Sequence, residues 1–327
     1  MKIKGGKFLL TGGASMIGSF VAEQLVEAGA REIVLFDNYS LGSRDNISEL
    51  VKLPQVKVVT GDILRVNELY DALEGVDGVF AIAGFLTLPL SLNPTLGLSV
   101  NVMGMVNVYE ACRYRGVGKV LFASSVAAYS NPLVDLIAED QPFNWGKLQP
   151  GGAIYGASKI IGENLGRLYH DKHGIQSISL RFASVYGERQ HYRAVNSLYI
   201  VETYDRLVRG EAPVIPDDGS EMHDYIHVVD IARANVMAME SDISRESFNV
   251  ATGVSTNLNQ LVATIQKVMG TNIPPVYKTP AGKIRATASS NLYFSNEKIK
   301  KMLGWEPLIP LEEGIRRIIA WCRTQSR

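Results

Sequence analysis

Lys7-Phe8-Leu9-Leu10-Thr11-Gly12-Gly13-Ala14-Ser15-Met16-Ile17-Gly18 joins a short apolar run to a glycine-rich turn and then to a periodic segment. The run Lys7–Thr11 has the length and character of a buried strand. From Met16 onward, Ile17, Phe20, Val21, Leu25 and Ala28 fall on one face of a helix that stops at Gly29. Glycines between strand and helix let the backbone turn tightly. They also let a pyrophosphate approach the N–H groups at the helix N-terminus, where the dipole favours an anion. A second apolar run, Glu32–Asp37, ends in a carboxylate about 20 residues beyond Gly18. That carboxylate is placed to accept hydrogen bonds from an adenosine ribose and to repel a 2′-phosphate. The stretch therefore predicts a dinucleotide-binding βαβ unit with NAD as the cofactor. Gly12, Ser15, Met16, Ile17 and Gly18 are expected at the pyrophosphate, with Asp37 and Asn38 at the ribose.

The same rhythm continues outward. Strands are predicted at Lys7–Thr11, Glu32–Asp37, Val56–Thr60, Gly78–Ile82, Lys119–Ala123 and Ser177–Arg181. Helices are predicted at Met16–Ala28, Val66–Leu73, Pro94–Tyr114 and Ala153–His173, with Asn93-Pro94 as N-cap and first-turn proline. Alternating strands and helices specify a Rossmann-type, doubly wound α/β fold with a parallel sheet. After Arg181 the rhythm breaks, and helices at Arg193–Val208, Val229–Met239, Leu258–Met269, Asn296–Leu303 and Leu311–Arg323 predict a smaller, mainly helical lobe. The expected division is an NAD-binding domain over 1–182 and a substrate-binding lobe over 183–327. Part of 224–250 is expected to pack back on the first domain.

With 327 residues the chain buries about three quarters of its unfolded surface, so no disulfide or metal staple is required. Its 33 basic and 33 acidic residues cancel, which removes the electrostatic reason to expect nucleic acid or an anionic membrane as partner. Cys112, Cys322 and five histidines show no metal-ligand spacing, and no metal is expected. The most apolar window, Val79 to Leu90, is about half the length of a bilayer span and contains Pro89. The opening Met1–Gly6 lacks the apolar stretch of a signal peptide, so the expected compartment is the cytoplasm.

Tyr155-Gly156-Ala157-Ser158-Lys159 sets a phenol and an amine four residues apart on one helix face. A phenol with an ordinary pKa near 10 is a poor base at neutral pH, and a neighbouring ammonium stabilises its phenolate. Ser124-Ser125 lies about 30 residues earlier, at the carboxyl end of a predicted strand, where open α/β sheets hold their ligands. A serine there is suited to hold the reacting oxygen beside the tyrosine. Together with the glycine loop, these residues point to hydride transfer at a carbinol or carbonyl carbon.

These motifs resemble the extended short-chain dehydrogenases/reductases, the NAD-dependent epimerase/dehydratase family, and among them most closely the UDP-glucose 4-epimerases. The resemblance covers nearly the whole chain: Thr11–Ser19, Gly61-Asp62-Ile63, Asn101, Ser124–Tyr129, Tyr155–Lys159, Arg181 to Gln190, Asp224–Val228 and Leu303–Pro307. It implies Ser125, Tyr155 and Lys159 as catalytic residues, with Tyr155 and Lys159 also at the cofactor. It further implies Asp62 and Ile63 beside adenine, and Ala83 and Asn101 near the nicotinamide end. Pairing into a homodimer through the helices Pro94–Tyr114 and Ala153–His173 is also implied.

The departures bear on substrate. Ser15 replaces a loop glycine, and Val126-Ala127 stand where the dehydratases carry an Asp-Glu pair, so dehydration by that route is not expected. Ser184, His223 and Pro280-Ala281-Gly282 replace an asparagine and two arginines that hold nucleotide phosphates in the sugar-nucleotide enzymes, although Arg285 is near. Arg189, His191, Tyr192, Arg193, Asn196 and His223 offer polar side chains for a small substrate. Ser125, Ser184, His191, Arg193 and His223 are the expected substrate contacts. The departures place first an NAD-dependent dehydrogenase of a small polyol, sugar, sugar acid or hydroxy acid. A UDP-sugar 4-epimerase using the same serine, tyrosine and lysine stands second, and a non-catalytic NAD-binding protein a distant third.

Overall fold

The computed structural model describes residues 1–132, 134–144, 150–190, 195–279 and 292–325, with 195–198 as helix backbone alone. The first half runs β1 (Lys7–Thr11), α1 (Met16–Glu27), β2 (Glu32–Asp37), β3 (Val56–Thr60), α2 (Val66–Ala72) and β4 (Gly78–Ala81). It continues through α3 (Thr87–Leu92), α4 (Pro94–Leu98), α5 (Met105–Arg115), β5 (Lys119–Ser125), β6 (Leu136–Ile137), α6 (Pro150–His173) and β7 (Gln176–Phe182). The second half holds β8 (Ser184–Tyr186), α7 (Val195–Val208), β9 (Val214–Pro216), β10 (Met222–His223), β11 (Tyr225–His227), α8 (Val228–Glu240) and β12 (Glu246–Val250). β13 (Thr256–Asn257), α9 (Leu258–Met269), β14 (Val276–Lys278), β15 (Tyr293–Phe294), α10 (Glu297–Leu303) and α11 (Leu311–Thr324) follow.

Seven parallel strands form one sheet in the order β12-β7-β5-β4-β1-β2-β3. The order reverses between β1 and β4, which opens a crevice at the carboxyl ends of those two strands. Strands buried on both faces need continuous apolar runs, and Phe8-Leu9-Leu10 and Ile33-Val34-Leu35-Phe36 supply them, each residue at most 3% exposed. α1 begins at Ser15, whose Oγ accepts from the Gly18 N–H at 3.1 Å. A hydroxyl at the loop's usual glycine thus becomes a helix cap.

α8 and β12 return to the first layer. Gln24 Nε2 of α1 donates to the Val229 carbonyl at 3.1 Å, and β12 pairs with β7 as the outer strand. α10 also packs on the first core through Ile299, whereas α7, α9 and α11 enclose a separate core of Tyr186, Ile200, Leu261, Ile265, Ile315 and Ile318. No helix among the described residues is long and apolar enough to cross a membrane.

Besides the short strands of the second half and β12, which no sequence signal marked, two helical stretches differ from the sequence reading. The helix predicted over Pro94–Tyr114 is broken: Ser99–Gly104 forms a π turn between α4 and α5. Gly104 fits against Ile63, where a Cβ would stand 2.5 Å from Ile63 Cδ1, and the widened turn carries Asn101. The window Val79 to Leu90 runs into α3 (Thr87–Leu92), a helix the sequence reading did not assign.

Candidate active site

The nucleotide loop is shaped by what its glycines exclude. A Cβ on Gly18 would lie 2.2 Å from the Gly12 carbonyl oxygen, and one on Gly13 would lie 2.8 Å from Leu35 Cα. Gly12 itself has φ +70°, and a Cβ there would meet the Ala83 nitrogen at 3.0 Å. Ala83 is held in place by its own N–H, which donates to Thr11 Oγ1 at 3.3 Å. Gly12 and Ala83 are therefore the two lips of the crevice, one from β1 and one from β4. Met16 and Ile17 start α1 directly behind them. This side-chain-free cradle at a helix N-terminus fits a dinucleotide pyrophosphate.

Asp37, at the end of β2, is 7% exposed. Its carboxylate accepts from the Ala14 N–H at 2.9 Å and the Tyr39 N–H at 2.7 Å. Burial raises its pKa, and these two backbone N–H groups oppose the rise. Each oxygen keeps a second lone pair for a ribose hydroxyl. Asn38 Nδ2 reaches Asp62 Oδ2 at 3.3 Å, so the ends of β2 and β3 meet at one polar edge. Ile63 is buried against the π turn, and its carbonyl accepts from Asn107 Nδ2 at 2.9 Å.

Tyr155 and Lys159 lie on α6, each 7% exposed. α6 approaches β5 closely because small residues permit it. A Cβ on Gly156 would stand 2.2 Å from the Ala127 carbonyl oxygen, and one on Gly162 would meet the Phe122 ring at 2.3 Å. Lys159 Nζ donates to the Ala123 carbonyl at 2.9 Å and lies 5.6 Å from the centre of the Tyr155 ring. Ser125 Oγ accepts from the Ala127 N–H at 3.2 Å, which leaves its O–H to turn toward the Tyr155 oxygen. Burial pushes the Tyr155 phenol up to about 12, against the pull of Ser125. Burial likewise pushes the Lys159 amine down to about 8, opposed by Glu163. Asn101 Oδ1 accepts from the Phe85 N–H at 2.7 Å, and its Nδ2 donates to the Phe85 carbonyl at 3.0 Å and to Ser158 Oγ at 3.2 Å. The π turn thus pins the loop after β4 to the catalytic helix.

Across the cleft, β8 continues from β7 two residues past Phe182, which itself pairs with Ser125. Ser184 Oγ lies 3.4 Å from His223 Nδ1, and the two are brought together by the pairing of β8 with β11. His223 is 3% exposed, and its Nε2 faces Glu221 Oε1 at 3.1 Å. The sequence reading missed Glu221, because nothing in the spacing sets it beside His223. Arg189 is a correction. Its guanidinium pairs with Glu23 of α1 and covers the Phe20 ring at 4.5 Å, so it ties the segment after β8 to α1. His191, Tyr192, Arg193, Pro280, Ala281, Gly282, Arg285 and the Asn196 side chain lie outside the described residues.

The NAD dependent epimerase/dehydratase family model matches residues 8–251. A UDP-glucose 4-epimerase of Corynebacterium glutamicum is 31% identical over 336 residues, 98% of this chain and 96% of that protein. Among solved structures, UDP-glucose 4-epimerase of Thermotoga maritima with UDP-glucose superimposes with a TM-score of 0.85 at 28% identity, covering 97% of this chain and 98% of that one. UDP-glucose 4-epimerase of Thermus thermophilus with NAD gives 0.83 at 25% identity, covering 98% of this chain and all (100%) of that one. The chain belongs to the NAD-dependent epimerase/dehydratase family. It is an enzyme whose cofactor is NAD, and the glycine cradle fits that group.

Proposed function

We propose that this enzyme is a nucleotide-sugar 4-epimerase acting on UDP-sugars. The observation that carries the reading is the gathering of Ser125, Tyr155 and Lys159 at the end of β5, beside the glycine cradle. The end-to-end similarity to UDP-glucose 4-epimerases supports the same reading. Expectation had put a free polyol, sugar or hydroxy acid first. That order is reversed here, because the relatives named above span the whole chain, substrate lobe included.

NAD, when bound, would supply the hydride-accepting and hydride-donating chemistry at the carbinol carbon. The chain's own residues manage the proton. Ser125 holds the carbinol oxygen, and Tyr155 takes its proton. Lys159, held against the Ala123 carbonyl, supplies the positive charge that stabilises the phenolate. The same phenol returns the proton to the oxygen of the other epimer, and no net redox change results because the hydride goes back to the carbon it left. Ser184 and His223 supply polar contacts to the distal part of the substrate, in place of an asparagine and an arginine. Asp37 selects NAD over NADP, since a 2′-phosphate beside it would add like-charge repulsion of about 1 kcal/mol even at the dielectric of water. Calorimetry with UDP-galactose and UDP-glucose, followed by chromatography of the products, tests the reading. Micromolar binding with interconversion is expected; binding to neither, with NADH formed from a free polyol, would restore the dehydrogenase.

Two copies are proposed to pair through α3 to α6. Leu92 (78% exposed), Met103 and Ile161 are among several exposed apolar side chains on these helices. Light scattering should give twice the chain mass, and Ile161→Glu should give monomer.

A further inference from the structure

Glu163 sits on α6 one turn beyond Lys159 and is 2% exposed. Its Oε1 accepts from Ser124 Oγ at 2.6 Å and from Arg181 Nε at 2.8 Å. Its Oε2 accepts from Arg181 Nη2 at 2.7 Å and from Ser247 Oγ at 3.1 Å. Ser124, Arg181 and Ser247 belong to β5, β7 and β12, which are neighbours in the sheet, so one carboxylate binds three strands to the catalytic helix. α6 thereby meets three consecutive residues of β5. Lys159 takes the Ala123 carbonyl, Glu163 takes the Ser124 hydroxyl, and Tyr155 faces Ser125.

We propose that Glu163 is a positioning residue for the proton-transfer pair: it locks α6 in register with β5 through Ser124 and sets a negative charge one turn behind the Lys159 ammonium. The inference rests on the reading of Tyr155 and Lys159 given above. Proton transfer needs donor and acceptor held within a fraction of an ångström, and a helix sliding along a strand would lose that for both residues together. The charge matters because burial works against the ammonium. Around Lys159, α6 contributes Tyr155 and Glu163, β5 contributes the Phe122 ring and the Ala123 carbonyl, and the π turn contributes the uncharged Asn101. β7 contributes Arg181, which is committed to Glu163 and to the Glu139 carbonyl at 3.1 Å. Beyond Glu163 stand Arg167 of α6, 3.5 Å from Ser247 Oγ, and Lys298 of α10, paired with Glu246. Among these neighbours, Glu163 is the charged group that favours the ammonium.

The sign of the pH effect follows. The ammonium is the working form and is lost as pH rises through about 8. Without the carboxylate it is lost earlier. In Glu163→Gln, the alkaline limb of kcat for UDP-galactose epimerisation should move down by about one pH unit, within the usual effect of a nearby opposite charge. NAD affinity at pH 6.5 should stay within about twofold of wild type, the size of a weak indirect effect. Glu163→Gln leaves Arg181 buried without its partner, so Glu163→Gln/Arg181→Gln is made beside it. The double variant pairs neutral groups and should show the same displaced limb. Glu163→Asp keeps the charge and Arg181 but is too short for Ser124, so its limb should stay in place while kcat falls about tenfold, the low side of a misplacement effect. A wild-type limb in the folded Gln variants, or wild-type kcat in Glu163→Asp, overturns the proposal. Failure of the underlying reading looks different: Lys159→Met would then keep wild-type turnover.

Discussion

The two walls of the cleft are built from different materials. The nucleotide wall is backbone: Gly12, Gly13 and Gly18 leave no room for a side chain, and Asp37 spends its carboxylate partly on the N–H groups of the loop it faces. The facing wall, proposed to meet the substrate, is side chain: Ser184 and His223 stand on strands of two or three residues whose pairing involves backbone alone, and Glu221 lies just before one of them. A backbone site recognises one invariant ligand group and fails when any Cβ is added. A side-chain wall changes specificity by substitution without disturbing the fold. That difference fits a chain that keeps its glycine loop while carrying Ser184 and His223 on the facing wall.

The largest expected effect lies where the walls meet. Tyr155→Phe should fold, bind NAD by calorimetry, and lose about 10²–10⁴-fold in kcat, the worth of a positioned acid/base group. On the nucleotide wall, Gly18→Ala forces a Cβ to within 2.2 Å of the Gly12 carbonyl oxygen. An overpacking strain of about 1–3 kcal/mol corresponds to roughly 5- to 150-fold weaker NAD binding. On the substrate wall, His223→Ala should raise KM for UDP-galactose about tenfold, one hydrogen bond's worth, with NAD affinity unchanged. Equal damage to NAD and sugar binding by either variant would break the distinction between the walls. The smallest effect is at Ser15. Ser15→Ala should cost about 1 kcal/mol in thermal or chemical unfolding, whereas Ser15→Gly should cost only a few tenths.

Sequence alone exposed the nucleotide wall because its parts are local: strand, glycine turn, capped helix and terminal carboxylate follow one another within about thirty residues. The placing of Tyr155 and Lys159 together on α6 was legible for the same reason, since they lie four residues apart on one helix. The π turn was not, since it depends on Ile63 meeting Gly104 and on Asn101 gripping the Phe85 backbone, contacts far apart in sequence. β12 was hidden by its own polar residues. Ser247 and Asn249 interrupt the apolar run, yet both are buried, satisfied by Glu163 and by the Tyr129 hydroxyl at 2.5 Å. Glu221 carries no periodic signal, because it precedes β10, a strand of two residues placed only by pairing with β13. Motif position singled out Ser184 and His223, which lie 3.4 Å apart, while Arg189 finds its partner on α1.

The fate of the hydride tests the central claim most directly. UDP-glucose carrying deuterium at C4 is incubated with enzyme and a pool of free NAD, and both sugar and cofactor are examined by mass spectrometry. A 4-epimerase returns the same hydride to the same carbon, so the UDP-galactose formed should retain the label and the free cofactor should gain none. Deuterium accumulating in free NADH, with no UDP-galactose formed, would contradict the account and make the enzyme a dehydrogenase.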